Sequence, residues 1–298
     1  MNAPATHDSG KNEVRSVAVI SLLAALHVFV FTAAFPFFTS VDEQLHFDLV
    51  VRYSQGHIPR QLEPISPEAI RYVALFHSLA YLADPDDLPG GKLPPPPWTQ
   101  PVEKVLPLML AREREWRTIL NPEDAMPPLY YSLAGAWWNL GKMLGLDGER
   151  ILYWLRFLNI FLVVAAVWLG WLAARKVFPE NIFIRRAVPA LMAFLPQTAF
   201  YSINSDILTP LVFGAAFLLL LKFWESEMPA RRPALALGLA LAATFLTKTS
   251  TLPLLAVSAL FIAAKVLRLA RGEKLRAALP SLAILSAGAA LPAAAWML

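Results

Sequence analysis

Long apolar runs joined by short polar links make up most of the chain. The first runs from Val17 to Phe38, and six more follow at about 151–173, 187–203, 207–223, 234–248, 251–264 and 279–298. A membrane-crossing helix needs about 20 apolar residues, so the shorter runs must draw on flanking polar positions. The first run has about 22 residues, longer than the roughly 7–15 of a signal-peptide core, and no small-residue cleavage pattern follows it. It reads as an uncleaved span at 16–38 behind a disordered polar tail at 1–15. The pattern predicts an all-α polytopic membrane protein: about seven transmembrane helices, with interfacial helices in a large first outer loop at 39–148 and a helical bundle at 149–298. The chain stops at Leu298 inside an apolar run, which reads as a truncated protein or a core module without its remainder.

The outer loop is too long to be a bare connection. Asp42 to Gln55 has helical spacing, with Leu45, Leu49 and Tyr53 on one face and Gly56 as a stop. Ser66-Pro67-Glu68 opens a second helix with an N-cap, a first-turn proline and an early acid, continued by Ala69 to Leu82. Leu93 to Trp98 carries four prolines and predicts polyproline II. A third helix spans Val102 to Arg117, with Pro107 in its first turns or kinking it. These helices are expected on the membrane surface, as a lid or a frame.

Composition supports the class. The chain is 57% hydrophobic and 16% charged, with a mean hydropathy of +0.50, more apolar surface than a soluble domain of 298 residues could hide. The net charge of +4 comes from short links between spans, so it points to membrane orientation and not to nucleic acid. There is no cysteine, which excludes disulfides and thiolate metal sites.

Basic residues set the orientation. The tail and the links at 174–186, 222–233 and 265–276 hold 14 Lys and Arg against 6 Asp and Glu, whereas 39–126 holds 8 against 13. The four basic segments are therefore expected in the cytoplasm and the acidic loop outside. This requires that 127–145 does not cross. It is predicted to lie in the outer interface or re-enter it, with Tyr130, Tyr131, Trp137 and Trp138 at headgroup level; an ordinary span is the alternative.

With that orientation, Asp42, Glu43, Asp206 and Lys248, with Arg156 nearby, all fall at one face. A charge at a membrane edge is costly unless paired, solvated or used. Asp42 or Glu43 can take a proton from a hydroxyl, and either with His46 is a candidate divalent-metal site; the ordinary reading is an acid capping a helix. Asn204-Ser205-Asp206 is an ordinary turn that also returns a carboxylate to this face. Lys248, among Thr247, Thr249 and Ser250, suits a phosphate, or it snorkels. Arg156 offers a second phosphate contact or pairs with Glu149 or Asp147. Tyr130 and Tyr131, after Pro127-Pro128, are a platform for a sugar ring or an interfacial belt. His27 reads as a packed residue or a partner for a backbone group. No glycine-rich phosphate loop, nucleophile elbow or HExxH pattern is present.

Four segments in order, VDEQLHFDLVVRYSQG, MPPLYYSLAGAWW, FLPQTAFYSINSD and FLTKTSTLPLL, resemble the C-type (GT-C) glycosyltransferases, specifically a bacterial branch carrying PPLYY, PQ…N-x-D and LTK segments. The resemblance covers about residues 16–270. It implies a polyprenyl-phosphate sugar lipid as donor, Asp42 as base or metal contact with Glu43 its neighbour, Asp206 as a second outer acid and Lys248 near the lipid phosphate. Met126 stands where the branch has a histidine before Pro-Pro-Leu-Tyr-Tyr, and the later spans and soluble domain of many members are absent. The expected activity is glycosyl transfer at the outer face, the acceptor unnamed. The alternative is a non-catalytic lipid-binding or transport protein, or an inactive remnant of the family.

Overall fold

The computed structural model of the chain describes residues 7–39, 42–78, 83–195 and 197–297. Its helices are α1 (His7–Ala34), α2 (Glu43–Ser54), α3 (Pro67–Phe76), α4 (Val102–Trp116), α5 (Leu129–Met143), α6 (Glu149–Val177), α7 (Ile182–Phe194), α8 (Thr209–Glu225), α9 (Arg231–Thr247), α10 (Leu252–Arg271) and α11 (Leu275–Met297). Among the described residues, five helical stretches are long and apolar enough to cross a membrane: 10–34, 149–177, 205–225, 249–271 and 275–297. Their outward faces carry bare apolar side chains such as Leu22 (70% exposed), Leu260 (69%) and Leu291 (68%), a surface suited to lipid and unfavourable in water.

Polar contacts fix the helix directions. Arg156, near the start of α6, donates to the Phe35 and Pro36 carbonyls at the end of α1. At the opposite end, Glu13 of α1 accepts from Trp171 Nε1 of α6 and from Arg185 of α7, both at 2.8 Å. Lys176 pairs with Glu225 at the end of α8, and Lys265 of α10 donates to the Trp224 carbonyl. One face therefore gathers the basic links. The other, here the loop face, gathers residues 35–39, α2 to α5, the turn at Asp206 and the turn at Lys248.

Several expectations change. Residues 7–15 are helix and not a loose tail, because Glu13 is buried against Trp171 and Arg185; residues 1–6 lie outside the described ones. The run at 187–203 is not a continuous span. Its helix, α7, has 13 residues, about 20 Å of rise, and short 3₁₀ turns follow at Thr198–Phe200 and Ser205–Ile207. The carbonyls freed there are met by the Asn159 side-chain amide, which reaches Ala199, Phe200 and Ser202 at 3.4, 3.3 and 2.8 Å. Irregular backbone survives at such a depth only when protein groups satisfy it. His27 does the same for the end of α7, its Nδ1 lying 3.0 Å from the Ala193 carbonyl.

The loop helices also differ from a surface lid. Ser66 caps α3 as expected, accepting from the Ala69 amide, but α3 ends at Phe76, and residues 79–82 of the expected helix lie outside the described ones. α2 is the centre of its subdomain: Phe47, Val50 and Val51 are fully buried. Tyr130, Tyr131 and Trp138 of α5 point inward and are buried too, so they form no interfacial belt. α5 has 15 residues and is outside the five long stretches. It lies beside the first turns of α6, where Trp137 and Trp154 stack at 4.2 Å and each indole N–H donates to the other's carbonyl.

α9 and α11 approach closely at small residues. A methyl group at Gly238 would stand 2.3 Å from the Leu285 carbonyl oxygen. Gly238→Val is therefore expected to force the two helices apart and cost about 1–3 kcal/mol. The measurement is the thermal midpoint of the detergent-solubilised protein; an unchanged midpoint would contradict this packing.

Candidate functional site

The loop face is organised by one buried ion pair. Glu43 and Arg156 are 0% and 1% exposed. The Arg156 Nε and Nη2 groups donate to the two carboxylate oxygens of Glu43 at 2.8 and 2.7 Å. The remaining guanidinium N–H groups go to the Thr32, Phe35 and Pro36 carbonyls at 3.4, 2.7 and 2.9 Å, and the Phe37 ring lies 4.5 Å away. Glu43 also accepts from the Phe38 amide at 2.8 Å and from the Ile203 amide at 3.0 Å. The pair thus joins the end of α1, the start of α2, α6 and the segment after α7. Phe38 sits at φ 59°, unusual for a bulky residue, and its bond to Glu43 holds it there. With its five donors engaged, Arg156 is not a free phosphate ligand, and its partner is Glu43 instead of Glu149 or Asp147. Glu43 is closed inside the same contact and cannot orient an acceptor.

Asp42 is the residue this clamp positions. It precedes α2 in a left-handed conformation, φ 63° and ψ 6°, which aspartate tolerates. Its carbonyl accepts from the Leu45 and His46 amides, while its side chain makes no capping bond and stays partly exposed. The side chain lies close enough to Glu123 to act on it electrostatically.

Asp206 and Lys248 meet as an ion pair. Asp206 lies in the Ser205–Ile207 turn, where Asn204 Oδ1 accepts its amide at 2.8 Å. Lys248 is the extended residue that ends α9. The two side chains are 45% and 25% exposed, so their attraction is modest and open to exchange. Of the hydroxyls flanking Lys248, Thr247 is buried and donates to the Ala243 carbonyl, whereas Thr249 and Ser250 remain exposed. Asp206 also lines a cavity of about 540 Å³ with Gln197, Thr198, Ala199, Thr209 and Pro210.

The residue that sequence reasoning missed is Glu123. Burial pushes its carboxyl above the usual value, Asp42 raises it further, Lys248 counteracts this and Asp206 adds to it. Glu123 thus lies within the electrostatic reach of all three expected residues. The signal was there in Asn121-Pro122-Glu123-Asp124, an acidic pair behind an Asn-Pro turn. Asn121 Oδ1 accepts the Glu123 amide at 2.9 Å, and its Nδ2 donates to the Leu45 carbonyl at 3.0 Å and to Asp48 at 2.9 Å. Asp48 in turn is bound by Arg52, which also holds Glu63. A buried polar scaffold therefore carries Glu123 to the site.

His46 Nδ1 lies 2.7 Å from the Tyr131 hydroxyl and 3.7 Å from Glu123. Burial, and then Lys248, push the His46 imidazole down to about 4 against the opposing effect of Asp206, so it is neutral at pH 7. A metal does not fit as expected. Glu43 is committed to Arg156, His46 to Tyr131, and among the described residues no group of three or more His, Cys, Asp or Glu side chains has metal-holding geometry. Tyr130 and Tyr131 are 1% and 0% exposed and offer no open ring for a sugar. Tyr131 serves as the hydrogen-bonding partner of His46.

Residues 25–298 match the family described as "Predicted membrane protein (DUF2142)". The chain belongs to that family. The match covers α1 from mid-helix onward and so includes the clamp and every polar residue of the loop-face site. No curated protein and no solved structure matches this DUF2142 chain.

Two outcomes follow for this DUF2142 site. Arg156→Ala strands a buried carboxylate and is expected to cost about 3–5 kcal/mol, seen as lost abundance and a lower thermal midpoint, whereas Lys248→Ala should change either by little; equal losses would contradict the division into clamp and site. The second concerns pH. A histidine held below its unfolded value of 6.5 contributes fully above that pH, and the contribution is lost as pH falls toward about 4. His77, also pushed down to about 4 by burial and then Arg112, acts in the same direction. Glu123, held high, has the opposite sign and offsets part of the acid end. Thermal midpoints should fall from pH 6.5 to 4.5, with a shallower slope in His46→Gln. A full slope in that variant would contradict the assignment.

Proposed function

We propose that the chain is an inverting glycosyltransferase that moves a sugar from a polyprenyl-phosphate donor to an acceptor hydroxyl at the outer face of a bacterial inner membrane. In this reading the basic face is cytoplasmic, and α7 and α9 join the five long helices to make seven crossings. The observation that carries the proposal is the Asp206–Lys248 ion pair at the end of apolar helices, with Glu123 in electrostatic reach of both and of Asp42.

The donor's prenyl tail stays in lipid, and its phosphate comes to Lys248, taking over the place of the Asp206 carboxylate in an ion pair that solvent already weakens. Asp42 accepts the acceptor's proton as its oxygen bonds to the anomeric carbon. The bond from that carbon to the phosphate oxygen breaks, and the polyprenyl phosphate leaves with an added negative charge beside the Lys248 ammonium. A fixed cation at a developing charge is worth several kcal/mol in a site poor in water. Glu123 and Asp206 flank the acceptor, and His46, kept neutral and bonded to the Tyr131 hydroxyl, lies 3.7 Å from Glu123. A metal has no part in this scheme.

Asp42→Asn tests the base. In membranes supplied with a radiolabelled polyprenyl-phosphate sugar, transfer should fall about 10²–10⁴-fold, with membrane insertion and thermal midpoint unchanged. Transfer at the wild-type rate would remove Asp42 from the mechanism.

A further inference from the structure

At the opposite, basic face, α1 and α6 end side by side around a concavity of about 480 Å³ lined by Gly10, Lys11, Val14, Arg15 and Arg175. Three of its five lining residues are cationic and none is acidic. Glu13 of α1 is turned inward to Trp171 and Arg185. Two neighbouring basic residues are engaged, Lys176 with Glu225 and Arg185 with Glu13. Lys11, Arg15 and Arg175 have no ion-pair partner among the described residues. Arg175 is held in place by its stacking over the Trp171 ring at 5.1 Å.

What lies beyond this cluster toward the membrane is apolar. Val19 and Leu22 on α1 are 57% and 70% exposed, and Leu172, one turn from Arg175 on α6, is 43% exposed. Lys11, Val14 and Arg15 share a helix face by their spacing of three and four, and Val19 and Leu22 continue along it. Cations at the helix ends and bare aliphatic side chains below them match the two halves of one molecule.

We propose that this concavity is a binding site for an anionic phospholipid, its phosphate held by Lys11, Arg15 and Arg175 and its acyl chains lying along α1 and α6. The inference is independent of glycosyl transfer, since it uses none of the loop-face residues. Uncompensated basic pockets between membrane helices recruit anionic headgroups at about fivefold per cation near the surface. The lipid would fasten the first helix to α6 at the end opposite the Glu43–Arg156 clamp.

Native mass spectrometry of the detergent-released full chain tests this, with equal amounts of phosphatidylglycerol and phosphatidylcholine as probes. Wild type should retain phosphatidylglycerol preferentially. Arg175→Gln should weaken retention about fivefold, and the Lys11→Gln/Arg15→Gln/Arg175→Gln variant should abolish the preference. These side chains are exposed, so thermal midpoints without added lipid should not move. Arg231→Gln/Arg232→Gln, at the start of α9, is the control and should retain the lipid. Equal retention by wild type and the triple variant would overturn the proposal. So would displacement of the lipid by millimolar inorganic phosphate, which would make this a site for free anions.

Discussion

A single buried contact, Glu43 with Arg156, sets the geometry of the loop face. Neither charge reaches solvent, and each is saturated with hydrogen bonds. Such a pair brings little net stability compared with apolar packing, but removing one partner leaves a charge stranded. Its value here is positional. It ties the end of the first helix to the start of α2, to α6 and to the backbone at Ile203. Asp42, one residue before Glu43, and Asp206, three residues after Ile203, are therefore brought to a common place by the same contact.

Around that fixed point the other charges fall into two kinds. Asp48, Arg52 and Asn121 are buried and, with the partly exposed Glu63, form a network whose members satisfy one another, and it sets the turn that carries Glu123. Asp206 and Lys248 are partly open and pair only with each other in the described contacts. The first kind holds shape. The second can exchange its partner for a phosphate at small cost, as a binding site requires. The irregular backbone after α7 fits the same picture. It breaks a helix at the depth where Asn159 can satisfy the freed carbonyls, and so lets the Asp206 turn reach the site.

Much of this was legible in the sequence, for identifiable reasons. Length and hydropathy located α1, α6, α8, α10 and α11, because a crossing helix must be long and apolar. Ser66-Pro67 and Gly56 marked helix ends, because caps and positive φ demand those residues. The charge bias of the links led to the expectation that Asp42, Asp206 and Lys248 share one end, where Asp206 and Lys248 form an ion pair. The pairing of Glu43 with Arg156 was not legible, since two buried charges more than a hundred residues apart look the same as two free ones. Tyr130 and Tyr131 misled for a related reason: an aromatic pair after two prolines suits an interface and a core equally, and here the core won. Glu123 was hidden because an acid in a turn is ordinary until its neighbours are known.

The common location of the site residues is the claim on which the account stands, and the absence of native cysteine makes it measurable. Single cysteines at 206, 249 and 180 can be challenged in intact cells with a thiol reagent that does not cross membranes. Labelling at 206 and 249 with protection at 180 is the predicted result. Opposite accessibility of 206 and 249 would separate Asp206 from Lys248 across the bilayer and contradict the account.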